Sequence, residues 1–202
     1  MDIAPFTVAL AGGGAVLVRP VVPADRALLQ AGFARLSERS RFFRFMRPIE
    51  RLSDMELDVL TDLADARQRA VGALGLIGKD GAAEPEQAPA GIARYVRLPD
   101  RPDMAEVAVV VVDEYQGQGL GGLLLGALAK WAAAEGVVAF TAITHSENRA
   151  MLGLFLAVGA KVVGASGAER ELEIPIHADP TRYPATPTGD AFRTAYRLAA
   201  IA

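Results

Sequence analysis

The sequence predicts an α+β chain, a mixed sheet with helices on both faces. Three observations predict it. Short apolar runs rich in valine, leucine and isoleucine recur from residue 6 to residue 176. Segments with apolar residues three and four apart lie between them. From residue 104 onward the two kinds alternate as β-α-β-α-β. A period of two marks strands and a period near 3.6 marks helices, so the mixture specifies a sheet with helices packed on it. A chain of 202 residues can bury one good core, and one domain is expected.

The elements follow in order. "FTVAL-AGGG-AVLVRPV" reads as a hairpin, two strands about a glycine turn. A strand follows residues 12–14, where a phosphate loop would lead into a helix, so these glycines are assigned to the turn. Pro23-Ala-Asp opens a helix in which Leu29, Phe33 and Leu36 form one apolar stripe. Residues 37–63 hold two short helices. Arg41, Arg44 and Arg47 are three apart there, forming either a solvated side or a basic binding face. Ser53 caps the second helix, with Glu56 completing a capping box.

Residues 70–78 read as a strand and residues 79–90 as a turn-rich loop. Residues 91–98 form another strand and residues 104–112 a buried one. A helix runs through about residue 135. A strand (137–144), a helix (146–158), a strand from Lys161 and a last strand (169–176) complete the series. The domain is expected to span residues 1–177. Residues 178–202 form a tail rich in proline and threonine, helical at its end.

Composition excludes several function classes. The chain is 51% hydrophobic and 22% charged, ordinary for a globular protein. Its net charge of -3 gives no basic excess for nucleic acid and no general attraction to an anionic membrane. The lack of cysteine excludes disulfides, thiolate metal ligands and a cysteine nucleophile. His145 and His177 are far apart in sequence, so no metal site is expected. The first residues lack a basic segment followed by a long apolar one. The longest apolar run, residues 120–134, carries Lys130 and is short for a bilayer, so a cytoplasmic location is expected.

The stretch "YQGQGLGG", residues 115–122, poses the main functional question. Gly117, Gly119 and Gly122 spell the dinucleotide fingerprint G-x-G-x-x-G. Its context does not fit. Four residues separate Val112 from Gly117, no acid ends the following strand, and too little chain follows for a doubly wound sheet. What survives is a strand, a glycine loop and a helix N-terminus. Backbone N–H groups and the helix dipole favour an anion there, and a pyrophosphate is the natural guest. The alternative is a packing turn with no ligand. Gln116 adds an amide that can donate to an anion.

Those residues carry a resemblance. Gln116-Gly117-Gln118-Gly119-Leu120-Gly121 matches the Q/R-x-x-G-x-G/A signature of the GNAT acetyltransferase superfamily. "NRAMLGLFLAVGA", from Asn148, is similar to that superfamily's second segment. The resemblance implies a mixed central sheet of about six to seven strands with helices on both faces. It implies acetyl-CoA as cosubstrate, its pyrophosphate held by residues 116–121. It also implies that the backbone of Val109, Val110 and Val111 binds the pantetheine arm. From residue 7 to residue 176 the chain further resembles the catalytic domain of bacterial protein lysine acetyltransferases. Those enzymes modify acetyl-CoA synthetase and related acyl-CoA ligases, and this chain has the length of a stand-alone catalytic domain. Two positions depart from the pattern. Phe155 replaces a tyrosine that can protonate the leaving thiolate, and Ala160 replaces an aromatic residue.

Acyl transfer to an amine needs the amine neutral. Lysine, with a pKa of about 10.4, resists this by roughly 4–5 kcal/mol at pH 7. A general base removes that obstacle. The resemblance implies this role for Glu106, the one acid in "MAEVAVVVV". Read on its own, Glu106 is either a buried acid with a raised pKa or a strand residue facing water. The oxyanion donor is expected from a backbone N–H near Val111, where the strand splays. Asn148 either bonds pantetheine amides or caps its helix. Met151, Leu154, Phe155 and Val158 are core by spacing, with Phe155 near the thioester. His145 reads as a surface or capping residue. The acceptor is a protein such as an acyl-CoA ligase, or a small amine. A third reading is a non-catalytic acyl-CoA-binding regulatory domain.

Overall fold

A computed structural model describes residues 2–62, 67–78 and 85–201. Its strands are β1 (Phe6–Ala9), β2 (Ala15–Pro20), β3 (Gln68–Ile77), β4 (Glu86–Leu98), β5 (Arg101–Val111), β6 (Ala139–His145), β7 (Lys161–Ser166) and β8 (Glu169–Pro175). Its helices are α1 (Arg26–Ala34), α2 (Glu38–Phe45), α3 (Asp54–Thr61), α4 (Leu120–Ala134), α5 (Arg149–Ala157) and α6 (Pro187–Leu198). The eight strands form one sheet in the order β1-β2-β3-β4-β5-β6-β8-β7. All neighbours are antiparallel except β5 and β6. The expected class is the one observed. The strand count exceeds six to seven because both terminal hairpins, β1–β2 and β7–β8, join the same sheet.

Strand alternation divides the core between the two faces. Val107 and Val109 point into the main core with Ala93, Tyr95 and the apolar side of α4. Val110 points the other way, toward Phe33, Leu36, Leu52 and Leu57 from the α1–α3 layer. The capping box of α3 is formed: Glu56 N–H donates to Ser53 Oγ at 3.2 Å, and Ser53 N–H to the Glu56 carboxylate at 2.8 Å.

The expected loop of residues 79–90 is partly strand. Residues 79–84 lie outside the described residues, but β4 already begins at Glu86. Pro89 lacks an N–H to donate to a ladder, so a strand through it needs a special register. The register with β3 shifts between Ala73 and Leu74, so Ala73 faces Gly91 while Leu74 faces Pro89. The bulge admits Pro89 into the strand.

Helix α4 is apolar nearly all round because it is covered nearly all round. One side lies on the sheet and another receives α6. A Cβ on Gly122 would stand 2.9 Å from the Thr188 carbonyl oxygen, and one on Gly126 would collide with the Phe192 backbone. The two glycines therefore let the helix backbones touch. Phe192 and Tyr196 of α6 are buried, as is Tyr183. The Tyr183 and Phe192 rings meet at 49° with 4.3 Å between centres, and Tyr196 Oη donates to the His177 carbonyl at 2.8 Å.

Two polar clusters fix the frame. At the C-terminal end of α4, the Glu135 carboxylate accepts from Tyr95 Oη at 2.7 Å and pairs with Arg69 at 2.7 Å, while Arg97 donates to the Glu135 carbonyl at 2.7 Å. Burial, reinforced by this carboxylate, raises the Tyr95 pKa and keeps its hydroxyl protonated. At the start of α1, Arg19 forks onto both oxygens of the buried Asp25 at 2.7 Å each. Burial alone would raise the Asp25 pKa, but the Arg19 bonds and the Val22 N–H outweigh it and hold the pKa low.

A carboxylate held below its unfolded pKa stabilises the fold above that pKa and loses its contribution as pH falls through the folded one. Asp25→Asn is therefore expected to lower the melting temperature at pH 7. The gap to the parent protein should close below about pH 4, as followed by thermal melts across pH. For the helix contact, Gly126→Val is expected to cost about 1–3 kcal/mol in urea unfolding and to expose α6 to protease.

Candidate active site

Strands β5 and β6 pair over three rows only: Met104 with Ala139, Ala105 with Phe140 and Glu106 with Thr141. Beyond that they part. Strand β6 keeps its pairing with β8 out to His145 and follows that neighbour away. The backbone alternation of β5 is read from two bonds. Val138 N–H donates to the Asp103 carbonyl on the β6 side, and Val112 N–H to the Ala90 carbonyl on the β4 side. Val107, Val109 and Val111 thus turn their backbone groups to the gap, and Val110 turns its own to β4. The splay expected near Val111 starts at Val107, directly after Glu106.

The gap widens into a cleft of about 1390 Å³ lined by β5, β6, α2, α5 and the glycine loop. Gly117 and Gly119 have φ of +72° and +84°, the left-handed region that favours glycine. Gly119 caps α4, whose first intrahelical bond runs from Leu123 N–H to the Gly119 carbonyl. The N–H groups of Leu120, Gly121 and Gly122 thus have no partner within the helix. The Leu120 side chain is buried in the core, so only its backbone is available to a ligand. Gly121 packs under Leu154 of α5.

The two glutamines brace the loop. Gln116 Nε2 donates to the Val111 carbonyl at 3.0 Å and to Ser40 Oγ at 3.2 Å, tying the loop to β5 and to α2. Gln118 Nε2 donates to the Glu114 carbonyl at 2.7 Å, and its side chain fills the space a Cβ on Gly12 would take. The β1–β2 turn thus abuts the loop without being a phosphate site itself.

Glu106 lines the cleft on the face of β5 opposite α4, and its side chain is exposed rather than buried. Two arginines share its surroundings. Burial lowers the pKa of the Arg44 guanidinium, as does the like charge of Arg94, and Glu106 opposes both. Burial likewise lowers Arg94, again against Glu106. Arg94 is further held by Gln68 Oε1, at 3.2 Å from its Nε. The three-residue arginine spacing is not one face. Arg41 donates to the Ala34 carbonyl at 3.1 Å, Arg47 pairs with Glu56 at 2.5 Å, and Arg44 alone enters the cleft.

Asn148 caps α5, its Oδ1 accepting from Met151 N–H at 3.2 Å, and its side chain amide faces the same cleft. Phe155 and Val158 are fully buried, while Met151 and Leu154 pack against them. His145 Nδ1 accepts from Glu147 N–H at 3.2 Å, and its ring lies 5.7 Å from Phe43 and 5.9 Å from Phe42 at the cleft mouth. Sequence reasoning missed Arg44 and Arg94 as neighbours of Glu106, and missed Thr144, a buried residue of β6 that also lines the cleft. No local signal marks them, because each reaches the site through tertiary packing.

Residues 36–160 match the model of the Acetyltransferase (GNAT) family. The chain belongs to that family. It is 33% identical over 147 residues to an acetyltransferase of Pseudomonas aeruginosa, covering 73% of this chain and 75% of the relative. It is 33% identical over 163 residues to acetyltransferase Pat of Mycolicibacterium smegmatis, covering 78% of this chain but 45% of the relative. The chain thus spans less than half of Pat. The solved GNAT domain of S. lividans PAT superposes with a TM-score of 0.74 at 26% identity, over 85% of this chain and 96% of that one. The GNAT resemblance read from the glycine loop therefore holds. Among the described residues no helix is long and apolar enough to cross a membrane.

One glycine in this GNAT cleft is a cost to the free protein. Gly153 is exposed within α5, lines the cleft and has open space where a Cβ would stand. Gly153→Ala is expected to raise ligand-free stability by about 0.5–1 kcal/mol in urea unfolding, while narrowing the cleft.

Proposed function

We propose that this GNAT acetyltransferase moves the acetyl group of acetyl-CoA onto a lysine of a protein substrate, with Glu106 as general base. The observation that carries this reading is the position of Glu106 in the last paired row of β5 and β6. The base stands where the strand's unpaired backbone groups begin, so one junction offers both a proton acceptor and amide donors. The residues present fit the cosubstrate. An extended arm with amides suits the free edge of Val107 and Val109 and the N–H of Val111, whose carbonyl is held by Gln116, and a pyrophosphate suits the N–H groups at residues 117–121. When bound, acetyl-CoA supplies an activated acyl carbon.

The chain's own residues do the rest. Val107 and Val109 N–H groups lie closest to Glu106 on the gap side and are the donors for a developing oxyanion. This moves the expected donor away from Val111. Glu106 takes the amine proton directly or through one water. Its exposure suits a lysine presented on the surface of a folded protein. Arg44 and Arg94 lie in the same surroundings and feel the charge of this carboxylate.

Glu106→Gln is expected to leave calorimetric binding of acetyl-CoA within about twofold and to lower turnover by about 10²–10⁴. Folded acyl-CoA ligases, their isolated peptides and small amines such as polyamines are compared as acceptors in a released-CoA assay. Preference for the folded ligases supports the protein-lysine reading, and preference for polyamines overturns it. Binding of acetyl-CoA without turnover on any acceptor makes the protein an acyl-CoA-binding regulator instead.

A further inference from the structure

We propose that the hydroxyl of Thr144 is a catalytic hydrogen-bond donor to the sulfur of the bound thioester. The inference rests on the acetyl-CoA reading of the cleft. Thr144 is 2% exposed, and its Oγ1 is buried without a hydrogen-bond partner among the described residues. It lines the same cleft as Glu106, Val109 and Phe155. A buried hydroxyl without a partner destabilises the free protein, and valine would fill the same volume without that cost. A hydroxyl kept there suits a ligand atom.

The register says which atom. Glu106 faces Thr141 in the last paired row. Three residues further, Thr144 stands across the widening gap from Val109. Val107, Val109, Ala142 and Thr144 share one face of their strands, the face that α5 covers with Phe155. The backbone edge of β5 holds one side of the arm, so Thr144 reaches it from the other side, level with Val109, whose N–H is one of the proposed oxyanion donors. Phe155 has no donor to offer. Asn148 keeps its Nδ2 donor while Oδ1 caps α5, but it lies past the His145 end of β6, further from the Glu106 row than Thr144. Thr144 is the buried hydroxyl facing this end of the gap.

The step balances without any further reactant. The amine lone pair forms the new C–N bond, and the C–S bond breaks with its electron pair leaving on sulfur. The proton lost by nitrogen goes to Glu106. Thr144 keeps its own proton and shares it in a hydrogen bond as charge grows on sulfur, which later takes a proton from solvent. Such a bond favours the thiolate, so it must lower the pKa of the bound thiol.

That shift is directly measurable, because a chain without cysteine leaves the CoA thiol as the one thiol in the sample. Free CoA is bound to the parent protein, to Thr144→Val and to Thr144→Ser, and thiolate absorbance is followed against pH. The bound thiol is expected to titrate about one unit lower on the parent and on Thr144→Ser than on Thr144→Val. Turnover should fall about tenfold or more in Thr144→Val and recover in Thr144→Ser. Ligand-free Thr144→Val should melt no lower than the parent, whereas loss of a merely structural hydroxyl would lower it. Equal thiol pKa values on parent and Thr144→Val, with CoA bound to both, overturn the role of Thr144 and leave the acetyl-CoA reading standing. Failure of all three proteins to bind CoA overturns both.

Discussion

Everything at this site depends on one broken ladder. Among the described residues, strands β5 and β6 are the only parallel neighbours in the sheet, and they stay together for three rows. A parallel pair normally continues until both strands end. Here β6 remains with β8 and leaves the inner edge of β5 without a strand. Unpaired N–H and C=O groups are costly when shielded from water. An open cleft keeps them solvated, and an extended ligand with amides can replace the water. The same break places Glu106 at the fork, where the sheet turns from structure into binding edge.

The glycines around the fork divide into two jobs. Gly117 and Gly119 adopt backbone conformations that other residues resist, and they turn the chain so that α4 starts with its N–H groups toward the cleft. Gly122 and Gly126 serve a different neighbour, admitting the backbone of α6. The G-x-G-x-x-G spelling therefore mixes a loop requirement with a helix-packing requirement. Its third glycine lies against α6, which is why the spelling misleads while the Q-x-x-G-x-G match does not.

Local chemistry made much of the fold legible. The hairpin at residues 6–20, the capping box at Ser53 and Glu56, and the strand–loop–helix around the glycines all follow from neighbours in sequence. The start of β4 did not, because Pro89 tolerates a strand only through a bulge that β3 supplies. The place of the splay was also hidden, since β8 sets it from about thirty residues beyond β6 in the chain's order of pairing partners. Of the residues lining the cleft, the glycine loop and Glu106 stand out in the sequence by pattern. The exposure of Glu106, the approach of Arg44 and Arg94, and the unpartnered Thr144 do not. Each depends on which faces the sheet and the α1–α3 layer bring together.

Helix α6 has a meaning beyond filling the core. It touches α4 at Gly122, within one turn of the N–H groups that face the cleft, and again at Gly126. The C-terminal segment is thus a footing for the loop rather than an appendage. A change that moves α6 must therefore also move the backbone at Gly122, next to the glycine loop. The glycine loop and the start of α4 are thus braced from behind, by a helix that does not line the β5–β6 gap.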